Sequence, residues 1–251
     1  MGIKDSVDLS IIIPTLGRSN QVESLITSIN QLEQSSWTFE IIVVDQNNSS
    51  LLDEIIKGFS TNLNIVQAKV DFKGLSRAKN FGAKLAAGKW ICFPDDDCEF
   101  QYDTVSSVIN IIELYNPDVI FGKCVDREGK DSVKSFSKNS KILTLDNFKD
   151  SFIEATTFIK NSVFQKCQFD ENMGVGSFFG SEEGYDWLYR MLKMNTFNIF
   201  YSPSILFYHP QVVLDKGALI SLKRVYNYRL GTAFLCVKHK FYYKLISRIF
   251  I

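Results

Sequence analysis

Residues 90–99 read WICFPDDDCE, an apolar run that breaks at a proline into four acids within five positions, Asp95, Asp96, Asp97 and Glu99. A short uncharged run of bulky side chains is the pattern of a strand covered on both faces. Three similar runs precede it, LSIII (9–13), EIIVV (40–44) and LNIVQA (63–68), and segments with helical spacing lie between them. Asn20 to Gln34 carries Val22, Leu25, Ile26, Ile29 and Leu32 on one face, Leu51 to Phe59 follows, and Leu75 to Ala87 stops at Gly88. Strand and helix alternate through residue 94, which predicts a doubly wound α/β unit with central parallel strands over the first ~100 residues. Ligands of such sheets gather beyond the carboxyl ends of the strands, so the turn after each strand is a candidate site.

The acidic run is the strongest of these turns. Like charges this close repel unless something neutralises them, and hard oxygen donors with open geometry suit Mg²⁺ or Mn²⁺ completed by phosphate oxygens and water. A solvated acidic turn is the plain alternative. KGLSRAKNFG (73–82) is the second: Ser76 can cap a helix whose first turns hold Arg77 and Lys79. Cations at a helix start oppose the macrodipole, and an anion on the exposed amides would reconcile the two. Pro14-Thr15-Leu16-Gly17-Arg18 and Asp45-Gln46-Asn47-Asn48 follow the first two strands as polar turns, which capping by Ser19 or Asp45 explains equally well. GSEEGYDWLYR (180–190) puts Glu182 and Glu183 at a helix start after Gly174, Gly176 and Gly180. A carboxylate there could take a proton from a hydroxyl or merely cap the helix. His209, in Tyr208-His209-Pro210, is one of two histidines and by itself more often structural than a ligand. No GxxxxGK[ST] loop and no GxGxxG after the first strand occurs, which argues against NTP hydrolysis and nicotinamide chemistry.

Composition sets the outer bounds. The 251 residues are 45% apolar and 22% charged, which excludes disordered, collagenous and small disulfide-bonded classes. Lys plus Arg equals Asp plus Glu at 28 each, so no overall charge excess points to nucleic acid. The five cysteines (92, 98, 124, 167, 236) include no CxxC pair and no histidine at ligand spacing, so buried thiols in a reducing compartment are expected. MGIKDSVDLS lacks the apolar stretch of a signal peptide, and the longest uncharged run, Met194 to Leu214, is too polar to span a bilayer. From 117 onward DVIFGKCV and FIEATTFI flank a polar linker, Asp126 to Ser140, and predict a mixed, partly antiparallel half. A helix at Glu183 to Met194 and aromatic strands at Phe197 to Tyr201 and Ile205 to Tyr208 complete it.

In this order the segments resemble the family 2 glycosyltransferases, from SIIIPTLGR to about Tyr228. The resemblance implies the GT-A fold over residues 1–215, with a nucleotide-sugar-binding half (1–100), an acceptor-binding half (101–215) and a basic helical tail (216–251). It implies that Pro14, Thr15, Arg18, Asp45, Arg77, Lys79, Asn80, Asp95 and Asp96 bind the nucleotide, with Asp95 near the ribose. Asp97 and His209 would hold Mn²⁺ or Mg²⁺. Ala78-Lys79-Asn80-Phe81-Gly82 stands where relatives read ARNxG, so a point charge replaces a bidentate fork, and Arg77 could compensate. Glu182-Glu183 stands where Glu-Asp is usual, and Asp186 follows; Glu183 is the favoured base. FDENMGVG (169–176) is similar to the acceptor-side segment. The implied enzyme is an inverting, metal-dependent hexosyltransferase acting on a UDP-sugar and a glycan or lipid-linked acceptor in bacterial surface-polysaccharide synthesis. A non-catalytic sugar-nucleotide-binding scaffold and a sugar-nucleotide nucleotidyltransferase are the alternatives; the latter would want a glycine-rich first turn, and PTLGRSN has one glycine.

Asp215 is the last acidic residue, and the 36 residues beyond it carry eight Lys or Arg, against a body of net −8. Leu219, Leu222, Val225, Tyr226, Leu230 and Phe234 could form one helical face, and KFYYKLISRIFI mixes aromatics with cations. Two readings follow: a peripheral helix on the anionic inner face of the plasma membrane, which would make the protein cytoplasmic and membrane-associated, or a helix that packs on its own acidic body.

Overall fold

The computed structural model describes residues 7–211, 219–243 and 245, with side chains of 219–221 and 223 outside that description. Residues 1–6, Leu219 of the expected apolar face and 246–251 of the terminal segment therefore lie outside what can be compared with the sequence reading. The predicted alternation is present. β1 (Leu9–Thr15), α1 (Asn20–Asn30), β2 (Phe39–Asp45), α2 (Asp53–Phe59), β3 (Ile65–Lys69), α3 (Leu75–Leu85) and β4 (Trp90–Cys92) follow one another. The four strands run parallel in the order β3-β2-β1-β4. β1 is buried along its whole length, and α1 buries Val22, Leu25, Ile26 and Ile29 as its spacing requires. β3 departs from the expectation of a central strand: it is the sheet edge, with Val66 48% exposed. Its Gln67 and Lys69 alternate with apolar neighbours, which suits one covered face.

The second half extends the same sheet with strands of both directions. β5 (Glu99–Phe100), α4 (Thr104–Tyr115), β6 (Val119–Val125), β7 (Lys141–Ile142), a 3-10 turn at Glu154–Thr156, β8 (Thr157–Lys160), α5 (Asn161–Phe164), α6 (Glu183–Met194), β9 (Ile199–Tyr208) and α7 (Leu219–Lys238) follow in order. β8 lies antiparallel between β4 and β6, then come β9 and β5, with β7 on the flank of β9. The two aromatic strands expected around Phe197 to Tyr201 and Ile205 to Tyr208 are one continuous strand. Its pairing with β6 skips from Tyr201 to Leu206, so no ladder N–H is required of Pro203. Trp187 of α6 sits fully buried among Phe93, Phe121, Phe164 and Phe169, and its indole N–H donates to the Cys167 carbonyl at 2.6 Å. All five cysteines are buried and free, as expected.

α7 packs on the body, but of the face its apolar spacing suggested only the later part takes part, through Phe234. Leu222 is 64% exposed and Tyr226 63%, whereas Gly231, Thr232, Leu235 and Cys236 are buried. The small residues decide this. Gly231 lies so close to Ser181 that a methyl group there would overlap it, Ser181 donates to the Tyr228 carbonyl, and Phe234 stacks on Phe179 at 3.8 Å. Farther along, Lys238 reaches Asp170 at 2.6 Å and Asp186 at 2.7 Å. Among the described residues, the contacts of tail cations and His239 with acids of the body are these two and His239 with Asp186 at 2.8 Å. Among the described residues no helix is long and apolar enough to cross a membrane.

Candidate active site

The carboxyl ends of β1, β2 and β4 open on a cavity of about 640 Å³. One wall consists of Pro14, Thr15, Leu16, Arg18, Gln46, Gly74, Leu75 and the aspartates 95–97. The acidic run is held by the first-strand turn: Thr15 Oγ1 donates to Asp96 at 2.7 Å, and Arg18 Nη1 contacts Asp96 at 2.8 Å and Asp97 at 2.5 Å. Asp96 is thereby fixed between two groups of the same turn. Burial raises the Asp95 carboxyl to about 6; Lys79 opposes that rise, while Glu154, Asp97 and Asp96 add to it. His209 Nδ1 donates to the Pro210 carbonyl at 2.6 Å, and its Nε2 lies 3.5 Å from Asp97 Oδ1. Asp97, Cys98 and His209 offer ligand atoms within 4.8 Å of one another. The thiol of Cys98 is kept neutral by its hydrogen bond with Cys124 and by burial, so the donors available to a divalent cation are one carboxylate and one imidazole beside open space.

Opposite this wall stands Glu183, at the first turn of α6. The chain reaches it through Glu182, which takes left-handed backbone geometry (φ 69°) and spends its own side chain on Thr232 of α7, whose hydroxyl donates to it at 2.7 Å. Gly174, at φ +100°, lets its loop press against Glu183 and Ser76, where a side chain would displace the carboxylate. Glu183 is 6% exposed. Burial pushes its carboxyl up to about 7, Glu154 pushes the same way, and Lys79 pulls it down. That value suits a group that must accept a proton near neutrality. Asp186 is placed differently. It is fully buried and accepts hydrogen bonds from Arg190 at 2.8 Å, Lys238 at 2.7 Å and His239 at 2.8 Å. Burial alone would raise its carboxyl, but Lys238, Arg190 and His239 outweigh that and hold it below the usual range.

The family model described as Glycosyl transferase family 2 matches residues 10–174, well over half of the chain. The chain belongs to glycosyl transferase family 2. It is 28% identical over 194 residues to an uncharacterized glycosyltransferase of Haemophilus influenzae, covering 75% of this chain and 63% of that protein. It is also 28% identical over 227 residues to a Campylobacter jejuni GalNAc(5)-diNAcBac-PP-undecaprenol beta-1,3-glucosyltransferase, covering 87% of this chain and 70% of the relative. Among solved structures, Staphylococcus aureus TarS 1–349 in complex with UDP-GlcNAc superposes with a TM-score of 0.66 at 20% identity, over 92% of this chain and 66% of that one. The chain spans less than two thirds of the first relative's length. The fold is GT-A, and the alternation of residues 9–92 is its first half.

Within that family frame, some residues expected at the nucleotide lie elsewhere. Ser76 does not cap α3; Gly74 occupies the cap position at φ +128°, and the Ser76 hydroxyl donates to the Met173 carbonyl at 2.7 Å. Lys79 is fully buried beneath the cavity, its ammonium 3.7 Å from Asp95 and without a hydrogen-bond partner. It acts on Asp95 and Glu183 through charge. Arg77 lies over the Phe72 ring at 4.1 Å, outside the cavity lining. Asn80 ties α3 to Phe169, donating to its carbonyl and accepting from its amide. Asp45 accepts from Asn47 and Gln67 and also lies behind the lining. The sequence reading missed Gln46, which lines the cavity and accepts from the Gly74 amide at 2.8 Å, as well as Arg224 and Tyr228 of α7 and Glu154 on the far wall. The Gln46 position after β2 was a usable signal. Glu154 lies in a 3-10 turn within an apolar segment and carried none.

Proposed function

We propose that the chain moves a sugar from a nucleotide-diphosphate donor, a UDP-sugar, to a hydroxyl of a glycan or lipid-linked acceptor in cell-surface polysaccharide synthesis, with inversion at the anomeric carbon. The observation that carries this reading is the placement of Glu183, buried, titrating near 7, across one cavity from Asp95 and Asp97. The name of the Campylobacter jejuni relative, a glucosyltransferase whose acceptor is an undecaprenol diphosphate glycan, and the UDP-GlcNAc bound to TarS support the choice of acceptor and donor.

In this reading Pro14, Thr15, Arg18 and Gln46 hold the nucleotide against the ends of β1 and β2, and Asp95 faces its ribose. Asp97 and His209 would hold Mn²⁺ or Mg²⁺, which when bound supplies neutralising charge to the leaving diphosphate. Arg18 and Arg224 add fixed positive charge on the same cavity. The acceptor oxygen attacks the anomeric carbon from the face opposite the nucleotide and gives its proton to Glu183. The bond from that carbon to the diphosphate breaks, and its electron pair leaves with the diphosphate. Asp96 anchors Arg18 and Thr15 within this surface, and Arg77, Lys79 and Asn80 act as positioning and electrostatic residues behind it.

Calorimetric titration with UDP, with and without Mn²⁺, tests the reading. Metal-dependent binding is the expected result. Failure of UDP, GDP, CMP and dTDP alike would favour a non-catalytic member of the family, and release of diphosphate from a sugar 1-phosphate and an NTP would favour a nucleotidyltransferase.

We further propose a peripheral position at the inner face of the plasma membrane. Leu222, Val225 and Tyr226 remain exposed on α7 beside Arg224 and Arg229, and Tyr243 is 89% exposed just beyond. Sedimentation with anionic vesicles is expected to carry the chain down, and L222S/Y226S is expected to leave it in the supernatant. Equal sedimentation of both proteins would sink this placement.

A further inference from the structure

Glu183 has a second cavity on its other side. A space of about 280 Å³ is bounded by Lys134, Lys149, Phe152, Glu154 and Tyr185, and Glu154 and Glu183 stand in the wall it shares with the nucleotide cavity. The Glu154 carboxylate lies directly over Gly184, in the space a side chain at that position would fill.

The Lys134 ammonium at this cavity has no direct ion-pair partner among the described residues, although Glu154, Glu182 and Glu183 share the lining. The Lys134 ammonium sits over the Phe152 ring at 4.2 Å and 5.4 Å from that of Phe136, and it donates to the Lys149 carbonyl at 3.1 Å. Among the described residues neither Lys134 nor Lys149 has a carboxylate within ion-pair distance. Asp150 and Glu154 are the acids that act on Lys134, and Asp150 is already paired with Lys141 at 2.8 Å. Burial lowers the Lys134 ammonium to about 8, a cost that those acids offset only in part. An anion brought into the cavity would give the Lys134 ammonium a direct partner. Around it, Phe152 and Tyr185 offer ring faces for the apolar face of a sugar, and Glu154 and Glu182 offer acceptors for its hydroxyls.

We propose that this cavity is the acceptor subsite and takes a sugar or polyol bearing an anionic group, carboxylate or phosphate, seated on the Lys134 ammonium. The assignment of the site to an acceptor rests on the donor reading of the neighbouring cavity. The anion presents the acceptor so that a hydroxyl reaches Glu183 from the side away from the nucleotide.

The test uses the full chain saturated with UDP and Mn²⁺, which blocks the diphosphate side, titrated calorimetrically with D-glucose, D-glucuronate and glycerol 3-phosphate. At least one of the two anions is expected to bind about tenfold more tightly than glucose, as a charge-assisted contact allows. The stronger of the two identifies carboxylate or phosphate. Lys134→Gln is expected to abolish the preference and Lys134→Arg to restore it, with UDP affinity and Tm unchanged in both. Equal binding of charged and neutral probes, no binding of any probe, or a preference that Lys134→Gln leaves intact would overturn the proposal. The UDP titration reads the donor side separately: without UDP binding the donor reading fails, whereas a Lys134-dependent anion preference in the same sample still establishes the anion site.

Discussion

Replacing Glu183 with glutamine is expected to lower kcat by about 10²–10⁴-fold, the range of a lost general base, while UDP binding persists. The side chain keeps its size, so the wall between the two cavities stays in place and only the proton acceptor is removed. The pH profile supplies the independent signature. Glu183 accepts a proton only when ionised, and burial together with Glu154 places its midpoint near 7, so wild-type kcat/KM is expected to fall as pH drops through about 7. Stability runs the other way. The folded-state value lies above the ordinary 4.5, so the folded form binds more protons than the unfolded one between those values, and stability declines as pH rises through that window. The glutamine variant escapes the cost of a buried charge at pH 8 and is expected to melt a few degrees higher than wild type. An inactive variant with raised Tm separates chemistry from folding; full activity in Glu183→Gln would remove this residue from the reaction.

Asp97→Ala is expected to reduce UDP affinity in the presence of Mn²⁺ by about a hundredfold or more, since a metal on a diphosphate contributes several kcal/mol. Binding without the metal is expected to change little. The side chain is 20% exposed, and its loss leaves Arg18 paired with Asp96, so the fold does not depend on it. His209→Ala is expected to follow the same pattern with a smaller loss, because the imidazole is the second donor of the pair. Wild-type Mn²⁺ dependence in Asp97→Ala would place the cation elsewhere.

The first half of the fold was legible because its strands and helices have unmixed periods. LSIII and EIIVV are buried runs, α1 repeats apolar residues at helical spacing, and the turns after β1, β2 and β4 converge on one cavity as the topology requires. The rest is less legible where long-range partners decide. α4 buries Val105, Val108 and Ile111, yet Ile109, Ile112 and Leu114 surround that stripe and blur it, and the sequence reading passed over the helix. Asp186 resembled a candidate base from its place one turn into α6. What withdraws it from chemistry is Lys238 and His239, which arrive from far along the chain. Lys79 looked like a phosphate contact at a helix start; the shape of α3 against β1 and β2 turns it inward instead, where it serves as a buried counter-charge. Lys134 fell in a stretch read only as a polar linker, because nothing in its own neighbours says that Phe152 will lie beneath it.

The docking of α7 against residues 180–186 has a consequence for how the molecule opens. Thr232 grips Glu182 across fifty positions of sequence, and Lys238 and His239 grip Asp186 in the same helix that carries Glu183. The loop that carries Glu183 is therefore held from α7 as well as by its own Ser181–Phe179 backbone bond and the Asp186–Arg190 pair. In hydrogen exchange the amides of residues 181–186 and 228–239 should behave as one cooperative unit, opening together below the free energy of global unfolding. Catalytic competence would then be lost at a lower denaturant concentration than the β-sheet, while the nucleotide side, anchored in β1 and β2, outlasts it.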